Sequence, residues 1–223
     1  PIILKTFEEQ TKELVYSNTN IENYILNLLD LNMNYDNLFK MLKSFDYTNK
    51  KNLIQIEYKY KNNLSAYTST DVIIKNKNYS IIKLLVTHIN FYLTKKILLI
   101  DSVFLNKYLN IVFMLEEKDY YLELYSKYLA KRLLFSSYDI EKETEIINIL
   151  KKNMGFSVTI KIENMIKDII IHKDEISKKY KILTMSHWPI YKNTKCLLSK
   201  EIKDTLEDYQ KQYNQNFCQR KID

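Results

Sequence analysis

Glycine occurs once in this 223-residue chain, at position 155, and proline twice, at positions 1 and 189. One glycine cannot build a glycine-rich phosphate cradle or a nucleophile elbow, and turns that require positive φ must be few. With no proline between Ile2 and Trp188, nothing there breaks a helix outright. Long helices joined by polar Asn, Ser, Thr and Asp loops are therefore expected. The two cysteines, Cys196 and Cys218, lack metal-ligand spacing and read as free thiols in a reducing compartment. His88, His172 and His187 fall on separate predicted elements, so no catalytic residue, metal site or cofactor is expected. No apolar run approaches the roughly 18 residues a membrane-spanning helix needs. The longest candidate, Ile97-Leu98-Leu99-Ile100, stops at Asp101. The expectation is a soluble intracellular chain, and the start at Pro1 rather than Met reads as a piece of a longer protein.

What the chain has in excess is basic charge and tyrosine. Thirty-four Lys and Arg against 27 Asp and Glu give a net charge of +7. That suits an acidic protein, nucleic acid or an anionic membrane, and by itself decides between none of them. Nineteen tyrosines among the lysines could stack on bases. Most fall on apolar stripes at helical spacing, where the ring is buried and the hydroxyl reaches water. With no helix-turn-helix or ribonucleoprotein motif, a basic helical nucleic-acid-binding protein is a rival reading rather than the leading one.

Periodicity organises the chain around residues 120–169. Leu122, Tyr125, Leu129 and Leu133 share one helical face. Ser136, Ser137 and Asp139 offer caps for a second helix with Ile146, Ile147, Leu150 and Met154 on its stripe. Glu141, Glu143 and Glu145 read as its acidic first turn, favoured by the helix dipole. Gly155 fits a left-handed position just past its end. After a short linker, Ile162, Met165, Ile166, Ile169 and Ile170 trace a third stripe. Upstream, Ile81, Leu84, Leu85, His88, Ile89, Tyr92 and Leu93 form one amphipathic helix. Val103, Leu105, Tyr108, Leu109, Val112, Phe113 and Leu115 form another. Further helices are expected around Ile3–Leu14, Ile21–Leu42 and Leu53–Leu64, with a polar boundary at Ala66–Ser80. Tyr180–Ser186 has a β-favouring centre that ends at Trp188-Pro189, and Ser199 can cap a last helix bearing Ile202, Leu206, Tyr209 and Tyr213.

Particular residues add a resemblance. Lys118-Asp119 followed by Leu129-Ala130-Lys131-Arg132-Leu133-Leu134 resembles the cullin homology region. Gly155-Phe156, Thr159, Lys161 and the run Glu163 to Asp168 are similar to a later segment of that family, and Ser186 with Trp188-Pro189 to another. Lys5-Thr6-Phe7-Glu8 and Leu28-Leu29-Asp30 add weaker matches. The resemblance implies a mainly α fold: the end of a helical stalk repeat (1–75), a four-helix bundle (76–172) and the start of a short α/β element (173–223). It implies a non-catalytic scaffold of a multisubunit ubiquitin ligase, in the cytoplasm and nucleus. Such a scaffold holds a zinc-binding RING-box protein and a ubiquitin-conjugating enzyme near an adaptor-bound substrate.

By the same resemblance the RING partner adds a strand at Ile182, Leu183, Thr184 and Met185. Lys95 and Lys96 form a basic patch for the conjugating enzyme. Asp119, Leu129, Lys131, Arg132, Leu133, Gly155, Met165, Asp168, Trp188 and Pro189 carry structural roles, with Trp188 anchoring its turn against the bundle. The chain departs from the family pattern at Gln219, where a glycine is expected, and the winged-helix end with its neddylated lysine lies outside the sequence. A second family reading is the cullin-like subunit of the anaphase-promoting complex. It shares the Trp-Pro pair and the helix with Glu201-Ile202, Leu206-Glu207, Tyr209 and Tyr213.

Overall fold

A sequence this poor in helix breakers folds into helices wherever an apolar stripe can be buried. The computed structural model describes residues 5–6, 9–10, 13, 21–44, 58, 61–62, 72–74, 77–95, 101–135, 138–171, 181–190 and 197–216. Helix α1 spans Ile21–Ser44, and a short antiparallel pair follows, β1 Val72–Ile74 and β2 Lys77–Tyr79. Val72 lies opposite Tyr79, and Ile74 opposite Lys77. Five helices then run in succession: α2 Ile81–Lys95, α3 Ser102–Met114, α4 Lys118–Phe135, α5 Ile140–Met154 and α6 Phe156–Ile171. Helix α7, Lys200–Asn216, lies in a second compact unit, residues 190–223, and is capped as expected by Ser199, whose Oγ accepts from the Ile202 amide at 3.4 Å.

Within the first unit, residues 1–189, α2 packs on α4, α5 on α6, and α3 on α5 and α4, while α6 also meets α4. Helix α1 covers α2 and α3 through Tyr24, Ile25, Leu28, Leu29 and Phe39. The stripes read from the sequence are the ones that fill this core: Leu85, Leu105, Leu109, Leu129, Leu133, Leu150 and Met165 are all fully buried. Tyr35 donates to Gln10 Oε1 at 3.0 Å, which fastens the N-terminal helical residues to α1. Of the helix expected at Leu53–Leu64, only Tyr58, Lys61 and Asn62 are described, and they are helical.

Several expectations need correction. Helix α6 starts at Phe156, with no linker after Gly155. Gly155 has φ +95° and ψ 162°, a region open to glycine alone rather than the left-handed helical one, so the chain changes direction at a single residue. Val103 and Ile170 are exposed, because Val103 sits about 200° round its helix from the buried Leu105 and Ile170 about 100° from the buried Ile169. The polar stretch before Ser80 contains the β1–β2 pair. No strand occurs in the described residues 181–190, so the short C-terminal α/β element is not seen there. A strand needs a partner ladder, and none reaches this run among the described residues. The tyrosines depart from expectation too. Tyr108, Tyr121 and Tyr125 bury their hydroxyls as well as their rings and bond within the protein rather than to water.

Candidate functional site

Two carboxylates, Glu143 and Asp168, hold the regions to which the sequence assigned structural and binding roles. Asp139 caps α5, its Oδ1 accepting from the Glu141 and Lys142 amides at 3.1 and 3.2 Å. From that first turn Glu143 faces inward, three, four and seven residues ahead of the buried Ile146, Ile147 and Leu150. On α4, Arg132 follows the buried Leu129 by three, and its side chain reaches Glu143 on α5. Arg132 Nε donates to Glu143 Oε1 at 2.6 Å and Nη2 to Oε2 at 3.0 Å, with each residue 1% exposed. Nη1 donates to Asn90 Oδ1 on α2 at 2.7 Å, and the Tyr125 hydroxyl donates to Glu143 Oε2 at 2.8 Å. The guanidinium also lies over the Tyr125 ring, 5.4 Å from its centre. Next to this network the Tyr108 and Tyr121 hydroxyls meet at 3.0 Å, bringing in α3.

Burial opposes the Arg132 charge most strongly, but the adjoining Glu143 carboxylate, together with Tyr125 and Tyr121 beside it, outweighs burial and holds the guanidinium pKa above its ordinary value. Burial pushes the Tyr108, Tyr121 and Tyr125 hydroxyls well above the usual tyrosine range, reinforced at Tyr125 by Glu143. A bidentate ion pair with both carboxylate oxygens engaged has no free group for catalysis. It fixes the relative placement of α2, α4 and α5, since moving any of them strands a buried charge. Glu141 and Glu143 stand in the first turn of α5, as read from the sequence, but Glu143 is buried and paired there while Glu141 is exposed.

Asp168, near the end of α6, gathers three donors from the segment beyond the bundle. Its Oδ2 accepts from the Thr184 amide and from Trp188 Nε1, both at 2.8 Å, and its Oδ1 accepts from the Thr184 hydroxyl at 2.9 Å. The His187 amide donates to the Thr184 carbonyl at 2.9 Å, closing a turn over residues 184–187. Upstream, Lys181 Nζ donates to the Leu133 carbonyl at 2.8 Å, at the end of α4 where carbonyls lack helical partners and the dipole favours a cation. Trp188 is buried in the core, and Leu183 packs against it. Residues 181–189 therefore form a strap clasped to α4 and α6.

The four residues expected to bind a RING partner all lie on this strap. Ile182 and Leu183 are half-buried, Thr184 spends both backbone groups internally, and Met185 is 83% exposed within the turn. Asp168, Trp188 and Pro189 join them, and Lys95 is exposed at the last position of α2, whereas Lys96 lies outside the described residues. Among the other residues assigned structural roles, Leu129, Leu133 and Met165 are core, Asp119 stands in the first turn of α4, and Lys131 is exposed near the Tyr128 ring. Sequence reading missed Glu143, Asn90, Tyr125 and Lys181. Charges of opposite sign on the apolar stripes of successive helices were the signal for the first. Among the described residues, no group of three or more His, Cys, Asp and Glu could hold a metal ion, and no helix is long and apolar enough to cross a membrane.

Residues 2–176 match the family model for the cullin alpha solenoid domain. The chain is similar to Cullin-3 of Dictyostelium discoideum, with 29% identity over 94% of this chain and 27% of that protein. It also resembles Cullin-1 of Oryza sativa subsp. japonica, with 29% identity over 53% of this chain and 18% of that protein. Human (Homo sapiens) Cullin-4A is 34% identical over 33% of this chain and 12% of its own length. The chain thus spans at most 27% of the length of these relatives. The family match takes in the bundle, the buried ion pair and Asp168, and on it the chain belongs to the cullin family.

Proposed function

We propose that this chain forms part of the scaffold of a multisubunit cullin–RING ubiquitin ligase and carries no catalytic group. The observation that carries the reading is the clasped strap on a rigid bundle within a chain of the cullin family. A scaffold accelerates transfer by holding substrate and charged enzyme close together, which raises effective concentration. It does so only if it does not bend. The Arg132–Glu143 network supports that requirement by tying α2, α4 and α5 together, near the end of α4 and the start of α5. In this reading a zinc-binding RING-box protein docks on the strap and the conjugating enzyme's acidic surface approaches Lys95 and Lys96. A substrate adaptor engages through the stalk, in the cytoplasm and nucleus. Burial of Tyr24, Tyr92, Tyr108, Tyr121 and Tyr125 favours the scaffold over a nucleic-acid binder, because buried rings offer no stacking platform.

The test is co-expression of the full-length protein with the RING-box protein from the same source. Capture is the expected outcome. Capture should be lost on Leu183→Pro, which removes a strand donor, with the helical circular dichroism unchanged. A well-folded full-length protein that ignores RING-box protein and instead binds nucleic acid with a steep salt dependence would overturn the reading.

A further inference from the structure

The bundle carries a groove that the scaffold reading does not use. It lies between α3 and α5, encloses about 650 Å³ and is largely apolar, with the half-buried Ile140 and Ile149 in its lining and Asn106 on the α3 side. From Ile140 to Lys152 it follows α5 for about 18 Å, or roughly three helical turns. Its charges are sorted by end. Glu141 and Glu145, one turn apart, line the end near the start of α5, and Lys152 lines the other. The Ser102 hydroxyl donates to Glu145 Oε1 at 2.9 Å, which joins α3 to α5 at the acidic end and holds that carboxylate in place. Glu141 and Lys152 are exposed, and among the described residues no hydrogen bond or ion pair engages either side chain.

A groove between two helices is the shape a third helix fills, its ridge of side chains laid between theirs. Two carboxylates repel the phosphates of nucleic acid and anionic lipid, whereas a peptide helix can match both ends of the groove. Helices favour acidic residues in their first turn and basic residues in their last. A helix of that ordinary pattern meets the groove's charges when it runs antiparallel to α5, which also opposes the two helix dipoles. We propose that the α3–α5 groove is a docking site for an amphipathic helix of a partner protein, about three turns long. The helix lies antiparallel to α5, its apolar face on Ile140 and Ile149, its basic last turn at Glu141 and Glu145, and its acidic first turn at Lys152. The site shares no residue with the strap or with Lys95, so it does not rest on the RING-box reading.

The test uses a synthetic peptide of about 12 residues with a leucine face, glutamates in its first turn, lysines in its last and a benzophenone photocrosslinker at its C-terminal end. Binding to the full-length protein is followed by fluorescence anisotropy, and the crosslink is mapped by mass spectrometry. Thr144→Trp, which puts bulk into the groove from an exposed lining position, is expected to weaken binding about tenfold. Glu141→Gln should weaken it about threefold, and should have no effect on a peptide whose lysines are replaced by glutamines. Crosslinks should fall on residues 140–145. Both substitutions alter exposed side chains, so the helical circular dichroism should match that of the wild type. Failure of the peptide to bind, binding indifferent to Thr144→Trp, equal weakening of both peptides by Glu141→Gln, or a crosslink at Lys152 would each overturn the proposal. If the wild type sediments as a dimer and Thr144→Trp as a monomer, the occupant is a second copy of this chain and the partner helix is likewise overturned.

Discussion

Glu143 and Asp168 are both carboxylates on helices of one bundle, and each accepts three hydrogen bonds. Two of the donors to Glu143 are the nitrogens of a buried guanidinium, and the third is a buried hydroxyl. Asp168 is met only by neutral groups: an amide, a hydroxyl and an indole N–H. The first arrangement is a charge cancelled by a charge out of water, and it joins helices to helices. The second is a buried charge solvated by protein dipoles, and it joins an irregular segment to a helix. Removing charge alone should therefore be costly at Glu143 and cheap at Asp168.

Glu143→Gln makes the sharpest break. It leaves Arg132 buried without a counter-ion and should cost about 3–5 kcal/mol in urea unfolding. The paired replacement Arg132→Met with Glu143→Leu should cost less than that single change, because no isolated charge remains. A second prediction uses the tyrosines that crowd Glu143 and are absent from Asp168. Their folded pKa values are raised by burial, so the folded state keeps protons that the unfolded state releases above about pH 10. Stability should be insensitive to them below that pH and fall as pH rises through it. The slope should be about 1.4 kcal/mol per pH unit for each such tyrosine, seen as unfolding that coincides with tyrosinate absorbance.

On the other side of the comparison, Asp168→Ala should cost about 1–3 kcal/mol, chiefly by stranding the Trp188 N–H. Trp188 is the chain's single tryptophan. Its emission should shift red in that variant at denaturant concentrations where the helical signal is still intact. Asp168→Asn should move neither signal by much, and a cost equal to that of Glu143→Gln would erase the distinction drawn between the two carboxylates. The smallest effect belongs to Asp139→Ala, which removes the cap of the turn that carries Glu143 and should cost about 1 kcal/mol in thermal unfolding.

The helices were legible because burial imposes a period on apolar residues. Leu122, Tyr125, Leu129 and Leu133 on α4, and Ile162, Met165, Ile166 and Ile169 on α6, occupy the core as their spacing requires. Gly155 was legible as a breaker because only glycine tolerates its backbone angles, though its ψ and the absence of a linker were not. The burial of Glu143 was missed because an acidic residue in a helix's first turn has a ready local explanation. Its phase with Ile146, Ile147 and Leu150 argued for burial, and charge type outweighed phase in that reading. The strap was hidden for a different reason. Asp168 and Thr184 are 16 residues apart, and Lys181 lies 48 residues from the carbonyl it caps, so no local pattern records either contact. β-favouring composition pointed to a strand, but a ladder depends on a partner that composition does not supply.

That 48-residue separation also sets an order of events during synthesis. The chain leaves the ribosome from its N-terminus, so α4 is complete in sequence long before Lys181 exists. Until then the last carbonyls of α4 have only water to bond, and its final turn frays. Arrival of Lys181 closes that turn and starts to lay the strap along the bundle, and Thr184 and Trp188 reach Asp168 within the next few residues. The strap is thus laid down only after the helices that support it, α2 to α6, have already been made.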